Sequence, residues 1–588
     1  MTYPRASYRI LFLVSAHNSL SQRAYIAITE LGHDVTIVVV DSAVQMEAAV
    51  LRHRPQLIVC PMLKKFIPES IWSTHRCLMV HPGPKGDRGP SSLDWAIELG
   101  TDEWGVTVLE ANGEVDGGDV WATRTFHMRA AGKSSLYRHE VRRAAIDALV
   151  EAVLKVVNGA APEALDYSDP RVSGRARPLM SQAVRAIDWE SDSTDSVIRK
   201  VRAAEGHPGV LDEVGATEFH LFGIHLERAL SGAAGEIIGQ RHGAICRATS
   251  DGAVWITHLK RRAPQRAFFK LPATRALALA GCDLDVPEIP TPLHQPLAAG
   301  HTYREIAYEE EAGVGYLHFD YYNGAMSTEQ CLRLRDAYLY ACSRRQTQVI
   351  VLMGGGDFFS NGIHLNVIEA AADPAEESWR NLQAMNDLVR EIIETDSHVV
   401  LSALAGDAAA GGVPLALAAD RVVARDDVVL NPYYRHMGGL FGSEYWTYLL
   451  PRRVGIEMTK RLTGPPFTPV GTRQAVRIGL LDAAFGADVS AFRAETRALA
   501  ERLARRPGLD RRLEEKRRRR GRDEQIKPLY AYRRQKMARA HRCFFGPNRS
   551  YHEARRRFTY KLRPAPVGNL SLRRASRQVP APLLARVG

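Results

Sequence analysis

Short apolar runs alternate with amphipathic segments between residues 8 and 165, and this alternation restricts the fold more than any other feature of the chain. The runs fall at 8–14, 35–40, 56–61, 77–81, 106–110 and 120–127; helical patterns occupy 19–31, 43–53, 91–100 and 134–158. Strands separated by helices need crossover connections, so the expectation is an α/β unit with a mostly parallel, doubly wound sheet. In such a sheet the working residues gather on the loops that leave the carboxyl ends of the strands.

At 588 residues the chain is long enough for three or four domains. Residues 160–178 and the proline-bearing stretch 283–300 read as linkers. Between them a helix at 192–204 precedes short strands that run to about 272. From 301 to about 488 two further strand–turn segments stand out, and beyond 490 the sequence is charged and helical. The apolar runs are all far shorter than the ~20 residues of a membrane span, and the first, Ile10–Val14, is too short for a signal segment. Seven scattered cysteines without a CxxC pair imply reduced thiols, a cytoplasmic setting and no structural zinc. Much of the net charge of +12 lies after residue 500, as in Lys516–Arg520 and Arg555–Arg557. A solvated helical face accounts for it, as would a phosphate-bearing cofactor. No nucleic-acid-binding motif accompanies it, which argues against DNA or RNA as partner.

Two loops in the first unit carry chemistry. Val80-His81-Pro82-Gly83-Pro84-Lys85-Gly86-Asp87-Arg88-Gly89-Pro90 follows the apolar run Cys77–Val80, and Val115-Asp116-Gly117-Gly118-Asp119-Val120 follows the next. His81 and Asp116 on neighbouring loops make an acid/base pair, in which the carboxylate orients the imidazole. Asn18–Arg23 opens the first helix, the usual place for an anion or cofactor contact. Gln22 and Arg23 there, with Lys85 and Arg88 beside His81, are the candidate cofactor contacts. Together with Ile187–Trp189 and Ile198–Gly209, these motifs resemble folate-dependent formyltransferases, methionyl-tRNA formyltransferase among them, over roughly residues 8–285. The resemblance implies a sheet domain that binds 10-formyltetrahydrofolate, then a small β-barrel-like domain, with His81 and Asp116 as catalytic residues. Where that family carries an asparagine two positions before the histidine, this chain has Met79, which offers no donor to an oxyanion.

Further on, Val349–Met353 runs into Gly354-Gly355-Gly356-Asp357-Phe358-Phe359-Ser360-Asn361-Gly362-Ile363-His364, and Val399–Leu404 runs towards Ala410-Gly411-Gly412-Val413-Pro414. The two turns, in this order, resemble the crotonase (enoyl-CoA hydratase/isomerase) superfamily over about 301–490. The resemblance implies a coenzyme A thioester site whose oxyanion hole is formed by the backbone N–H groups of Ile363 and Gly411. One hydratase glutamate is replaced by Pro414 and the other falls near Tyr433–Arg435, so water addition is not expected. Tyr434 and Glu444 are the remaining candidates. Ser443 reads as the N-cap of a helix Glu444–Leu450, which would place Glu444 in the first turn as a base.

The phrases Asn18–Arg23, His81–Ile97, Gly354–Asn366 and Glu377–Asn381 resemble, over nearly the whole chain, a family of hydrogenase maturation factors that fuses these two modules. That resemblance implies domains at 1–165, 180–285 and 301–490, a basic helical region at 491–565 and an unstructured tail at 566–588. It implies formyl transfer from 10-formyltetrahydrofolate to coenzyme A and decarbonylation of formyl-CoA to carbon monoxide for the Fe(CN)2CO centre of NiFe hydrogenase, with hydrogenase maturation proteins as partners. The basic C-terminal helices are then expected to hold the coenzyme A phosphates.

Overall fold

The computed structural model describes residues 7–294, 302–433, 437–465 and 468–562. Arg9–Val14 (β1) reads Arg-Ile-Leu-Phe-Leu-Val and is buried at its last five positions, the pattern of a strand covered on both faces. It forms a six-stranded sheet with Asp34–Val39 (β2), Leu57–Cys60 (β3), Cys77–His81 (β4), Glu103–Glu110 (β5) and Val120–His127 (β6), in the order β2-β1-β3-β4-β5-β6. The first four strands are parallel, as expected. The pairs β4–β5 and β5–β6 are antiparallel, so the mostly parallel sheet has a mixed edge. The alternation of runs and helices shows where strands lie. It does not show at which end the long 82–102 connection lets the chain re-enter the sheet.

The next unit packs the helix Thr194–Ala204, N-capped by Ser193, against an antiparallel sheet. Its strands are Val210–Val214 (β7), Thr217–Glu227 (β8), Ile237–Arg241 (β9), Ala244–Ala248 (β10), Ala253–Arg261 (β11) and Leu271–Pro272 (β12). The order is β7-β8-β11-β10-β9, with β12 beside β11. Val197 and Val201 of the helix meet Phe219, Leu221, Ile245 and Ile256 of the sheet.

Two sheets make up the third unit. Ile306–Glu311 (β13), Val314–Phe319 (β14), Val349–Met353 (β15), Val399–Leu404 (β17), Arg421–Arg425 (β19) and Ala483–Phe485 (β22) form the larger. Phe358–Ser360 (β16), Asp407–Ala409 (β18), Val429–Asn431 (β20) and Val470–Gly471 (β21) form the smaller. A short turn carries each of β15, β17 and β19 into β16, β18 and β20. Gly406 is needed at one of these turns, since a Cβ there would lie 2.3 Å from the carbonyl carbon of Asp357. Because β16 and β18 pair in parallel, the turns that follow them are neighbours. C-terminal helices at Val489–Ala504, Leu509–Ile526, Leu529–Phe545 and Ser550–Thr559 close the structure; Met537, Ala540 and Phe544 pack on Leu382 of the long helix Pro374–Glu394. None of the seven cysteines is in a disulfide, and among the described residues no helix is long and apolar enough to cross a membrane.

Ion pairs fasten the first unit to the third. Arg142 Nη1 lies 2.9 Å from Asp407 Oδ2, and Arg23 Nη2 lies 2.5 Å from Asp427 Oδ1. Asp357 accepts from Ser135 Oγ (2.7 Å) and Arg138 Nη1 (2.8 Å), and its Oδ1 is 3.0 Å from His139 Nε2. Arg142 is 4% exposed, and Asp407 also accepts from Val429 N–H. Removing one partner of so buried a pair strands the other charge and costs about 3–5 kcal/mol. Arg142→Ala is therefore expected to lower stability by about 3 kcal/mol in urea unfolding. Arg505→Ala, which removes an exposed intrahelical pair, should cost less than about 0.5 kcal/mol.

Candidate active sites

His81 ends β4 and is buried. Its Nε2 lies 2.9 Å from Asp87 Oδ2 and its Nδ1 3.4 Å from Asp116 Oδ1. Asp116 reaches it from a left-handed backbone (φ 49°), a region that aspartate tolerates better than most residues, and its other oxygen accepts from Gly89 N–H at 3.2 Å. Gly83 is obligatory in this loop, because a Cβ there would lie 2.3 Å from Asp87 Oδ2 and 2.5 Å from His81 Nε2. Burial alone would depress the imidazole pKa; the hydrogen bonds and charges of Asp116 and Asp87 outweigh it and lift it to about 9. Burial would likewise raise the Asp116 pKa, but His81, the Gly89 N–H and Arg88 hold it below the usual carboxylate range. Met79 sits two residues earlier on the same strand and packs into an apolar cluster.

Asp87 and Arg177 escaped the sequence reading. Asp87 is only six residues from His81, but it sits in a run that reads as a turn. Arg177 comes from the segment read as a linker. That segment runs beside the His81 loop: Gly174 N–H donates to Lys85 O, Arg88 N–H to Arg175 O and Arg177 N–H to Arg88 O. Arg177 Nη1 then reaches Asp87 Oδ1 at 2.7 Å. The other expected cofactor contacts are engaged within the protein. Lys85 pairs with Glu163 (2.7 Å), and Arg88 pairs with Glu114 (2.9 Å) and donates to Val115 O. Gln22 donates to His17 O, and Arg23 turns away to Asp427. Arg23 therefore belongs to the domain junction.

At the second site, the turn after β16 and the turn after β18 face each other. Gly362 has φ 79°, and a Cβ on it would lie 3.0 Å from Gly411 N; one on Gly412 would lie 1.9 Å from Ser360 O. Asn361 N–H bonds Gly324 O, Gly362 N–H bonds Ser360 Oγ, His364 N–H bonds Asn381 Oδ1 and Ala410 N–H bonds Asn431 O. These bonds fix both turns. Among the described residues, none engages the N–H of Ile363 or Gly411. Glu444 is 2% exposed. Its Oε2 accepts from Ser443 N–H (2.8 Å), and its Oε1 lies where a Cβ on Gly411 would approach to 2.7 Å.

The expected cap is corrected. The helix begins at Trp446, not Glu444, and Glu444 and Tyr445 are both left-handed (φ 42° and 53°). The Ser443 hydroxyl and the Glu444 N–H both donate to Asn386 Oδ1, each at 2.9 Å, so no helical N–H is capped by Ser443. Two consecutive non-glycine residues in this region cost about 1–3 kcal/mol each, and they turn the carboxylate toward Gly411. Tyr434 lies outside the described residues.

Ile363, Gly411 and Glu444 line one cavity of ≈ 980 Å³. Leu382 and Leu440 lie near Glu444, while Arg138 of the first unit, Lys260 and Lys270 of the second, and Lys561 of the last helices supply cations. Burial lowers the Lys270 pKa to about 8. Of the basic C-terminal helices, Leu509–Ile526 uses several of its arginines on its own surface, while Lys561, just after the last helix, lines the cavity. Arg511, Arg518 and Arg520 on Leu509–Ile526 pair with Glu515, Glu514 and Glu524 one turn away, as on a solvated face.

Known proteins share this arrangement. The family model "Formyl transferase" matches residues 40–153, "Formyl transferase, C-terminal domain" matches 179–270 and "Enoyl-CoA hydratase/isomerase" matches 309–543. The chain is 45% identical over 572 residues to the hydrogenase maturation factor HoxX of Bradyrhizobium diazoefficiens, covering 96% of this chain and 98% of that protein. The chain belongs to the HypX/HoxX family of hydrogenase maturation factors. The crystal structure of HypX from Aquifex aeolicus in complex with tetrahydrofolic acid superimposes with a TM-score of 0.91 at 40% identity, covering 98% of this chain and 100% of that one. A variant of the same Aquifex HypX gives a TM-score of 0.90 at 41% identity, over 95% and 98% of the two chains. A formyltransferase-like module and a crotonase-like module in one chain are thus the architecture of the HypX/HoxX family.

The His81 environment has a consequence for stability. A folded pKa of about 9 against an unfolded value near 6.5 means the folded chain holds this proton more tightly. The contribution, at most about 3 kcal/mol, is complete below pH ~6.5 and is lost as pH rises through about 9. Urea unfolding at pH 6.5 and 9.5 should show a smaller pH dependence in His81→Gln than in the wild type.

Proposed function

We propose that this chain makes carbon monoxide for hydrogenase maturation by a two-stage transfer in the cytoplasm. Formyl passes from 10-formyltetrahydrofolate to coenzyme A at the His81 site, and formyl-CoA then breaks down in the cavity beside Glu444. The observation that carries the reading is that one cavity brings two paired N–H donors and a buried carboxylate together with no second hydratase glutamate, position 414 being proline. A folate substrate at the first site is supported by the tetrahydrofolate complex of the Aquifex relative.

At the first site the thiol sulfur attacks the formyl carbon and the folate nitrogen leaves. His81, paired with Asp116, donates to the developing oxyanion and passes a proton to that nitrogen, and the proton given up by the thiol replaces it. At the second site the N–H groups of Ile363 and Gly411 polarise the thioester carbonyl. Glu444 removes the formyl proton, the C–H electron pair stays on carbon as the lone pair of CO, and the C–S bond breaks to the thiolate, which takes up the proton. Tyr434 is assigned to the carbonyl or to the departing thiolate. The cations of the cavity suit the phosphates of coenzyme A, and hydrogenase maturation proteins are the partners that the family implies. Supplied water would give formate instead, so the absence of a second carboxylate at position 414 serves the outcome.

The test is purified protein with 10-formyltetrahydrofolate and coenzyme A in the presence of ferrous haemoglobin. Carboxyhaemoglobin is expected. Formate without carboxyhaemoglobin would make the chain a formyl-CoA hydrolase, and neither product would leave it a binding scaffold. Glu444→Gln is expected to lower CO formation by about 10²-fold or more while folate deformylation persists, and Tyr434→Phe to lower it by about 10-fold or more.

A further inference from the structure

His81 is supported on its buried side by more than a pairing with Asp116 requires. Arg177, Asp87, His81 and Asp116 form a line of alternating charge, with contacts of 2.7, 2.9 and 3.4 Å, buried at Asp87 and His81 and partly exposed at both ends. The Asp87 side chain is fully buried and both its oxygens are engaged, one by Arg177 and one by His81. Asp116 is partly exposed and is held on its other oxygen by a single backbone N–H. Asp87 is therefore held by charged groups on both oxygens, whereas Asp116 is held on its far oxygen by one backbone N–H. The hold on Asp87 depends on close backbone approach: a Cβ on Gly174 would lie 1.9 Å from Asp87 N, and one on Gly89 would lie 2.2 Å from Arg177 O. The Arg177 guanidinium also rests over the Trp104 ring at 5.2 Å.

We propose that Asp87, anchored by Arg177 of the 172–178 strap, is the positioning residue of the first site: it fixes the Nε2 proton of His81, so that Nδ1 is the nitrogen that works with Asp116 on the substrate. The proposal rests on the formyl-handling reading of that site. The charged groups around the ring are Asp87 and Asp116 in direct contact, with Arg177 behind the first and Arg88 beside the second. With a carboxylate at each nitrogen the ring carries both protons at neutral pH, consistent with its raised pKa. Met79, on the same strand, has no donor to contribute, so a charged Nδ1–H is the donor that this strand offers to a developing oxyanion.

The full chain labelled with nitrogen-15 histidine tests this, with the His81 signals assigned by their loss in His81→Gln. In the wild type both ring nitrogens are expected to be protonated at neutral pH and to titrate near pH 9. In Asp87→Asn the midpoint should fall by about one pH unit or more and the neutral ring should lose its single tautomer. The alkaline limb of folate deformylation should move with it, while the KM for formyl-folate stays within about twofold. If Asp87→Asn does not fold, Arg177 decides: Arg177→Gln should lower kcat about tenfold at unchanged KM, and Arg177→Lys should recover most of it. A His81 midpoint in Asp87→Asn within about 0.3 pH units of wild type, or wild-type kcat in Arg177→Gln, would overturn the proposal. If wild-type protein consumes no formyl-folate, the formyl reading fails, and the histidine signals still report whether Asp87 fixes the ring.

Discussion

The carboxylate of Asp357 joins the two modules of this chain at the point where it matters for the cavity. It lies in the turn between β15 and β16, and the chain continues from β16 to Ile363. Its partners Ser135, Arg138 and His139 belong to the start of the last helical segment of the first unit. Burial would make this carboxyl harder to ionise. The His139 and Arg138 contacts and the Ser135 hydroxyl overcome that and hold its pKa far below the usual carboxylate range. Arg138 also lies 4.5 Å over the Phe358 ring, bonds Asn323 Oδ1 and lines the cavity. One cluster therefore sets the distance between a cavity wall built by the first unit and the turn of Ile363 built by the third. The Arg142–Asp407 pair repeats the device at β18, the strand that leads to Gly411.

Close approach of backbone is the second constraint, and it recurs wherever a functional group is placed. Gly83 admits Asp87 to His81, Gly406 lets one turn pass another, and Gly412 lies against Ser360 O. At each of these a Cβ would stand within van der Waals contact of a backbone or catalytic atom. A methyl group added at such a place displaces the very pair the glycine brings together, which differs from the entropic effect of a glycine in open loop.

The sequence conveyed the modules and the two glycine turns after β16 and β18 well, because both depend on local pattern. Strand–turn–helix succession and glycines at close approach are visible in a single chain. Three features were not visible, each for a physical reason. The reversal at β5 depends on where a long connection re-enters the sheet. The role of Arg177 depends on a proline- and serine-rich segment being laid against a loop ninety residues earlier, and such a segment shows no period. The positions of Glu444 and Tyr445 in the left-handed region depend on Asn386, whose side chain competes with helix capping for the Ser443 hydroxyl. A run of arginines is conspicuous in a sequence, whereas Arg138, Lys260, Lys270 and Lys561 are scattered over three parts of the chain and converge only in the fold.

The geometry of Glu444 bears on the choice between losing CO and adding water. The Ser443 N–H donates to its Oε2, and its Oε1 stands against Gly411, on the side where the proposed acyl carbonyl would lie. Hydrolysis of a formyl thioester needs a base for the attacking water, and position 414, a proline, supplies none. Removing the formyl hydrogen needs one base close to the carbonyl carbon, and the carbonyl carbon lies close to the N–H groups that hold its oxygen. A carboxylate next to Gly411 stands in that position. The strain in two consecutive left-handed residues is maintained by Asn386 from a long, well-packed helix, so the carboxylate cannot relax into the helical first turn, where it would point elsewhere. On the proposed reaction the strain therefore has a use: it holds the carboxylate beside Gly411, where the acyl carbon would lie.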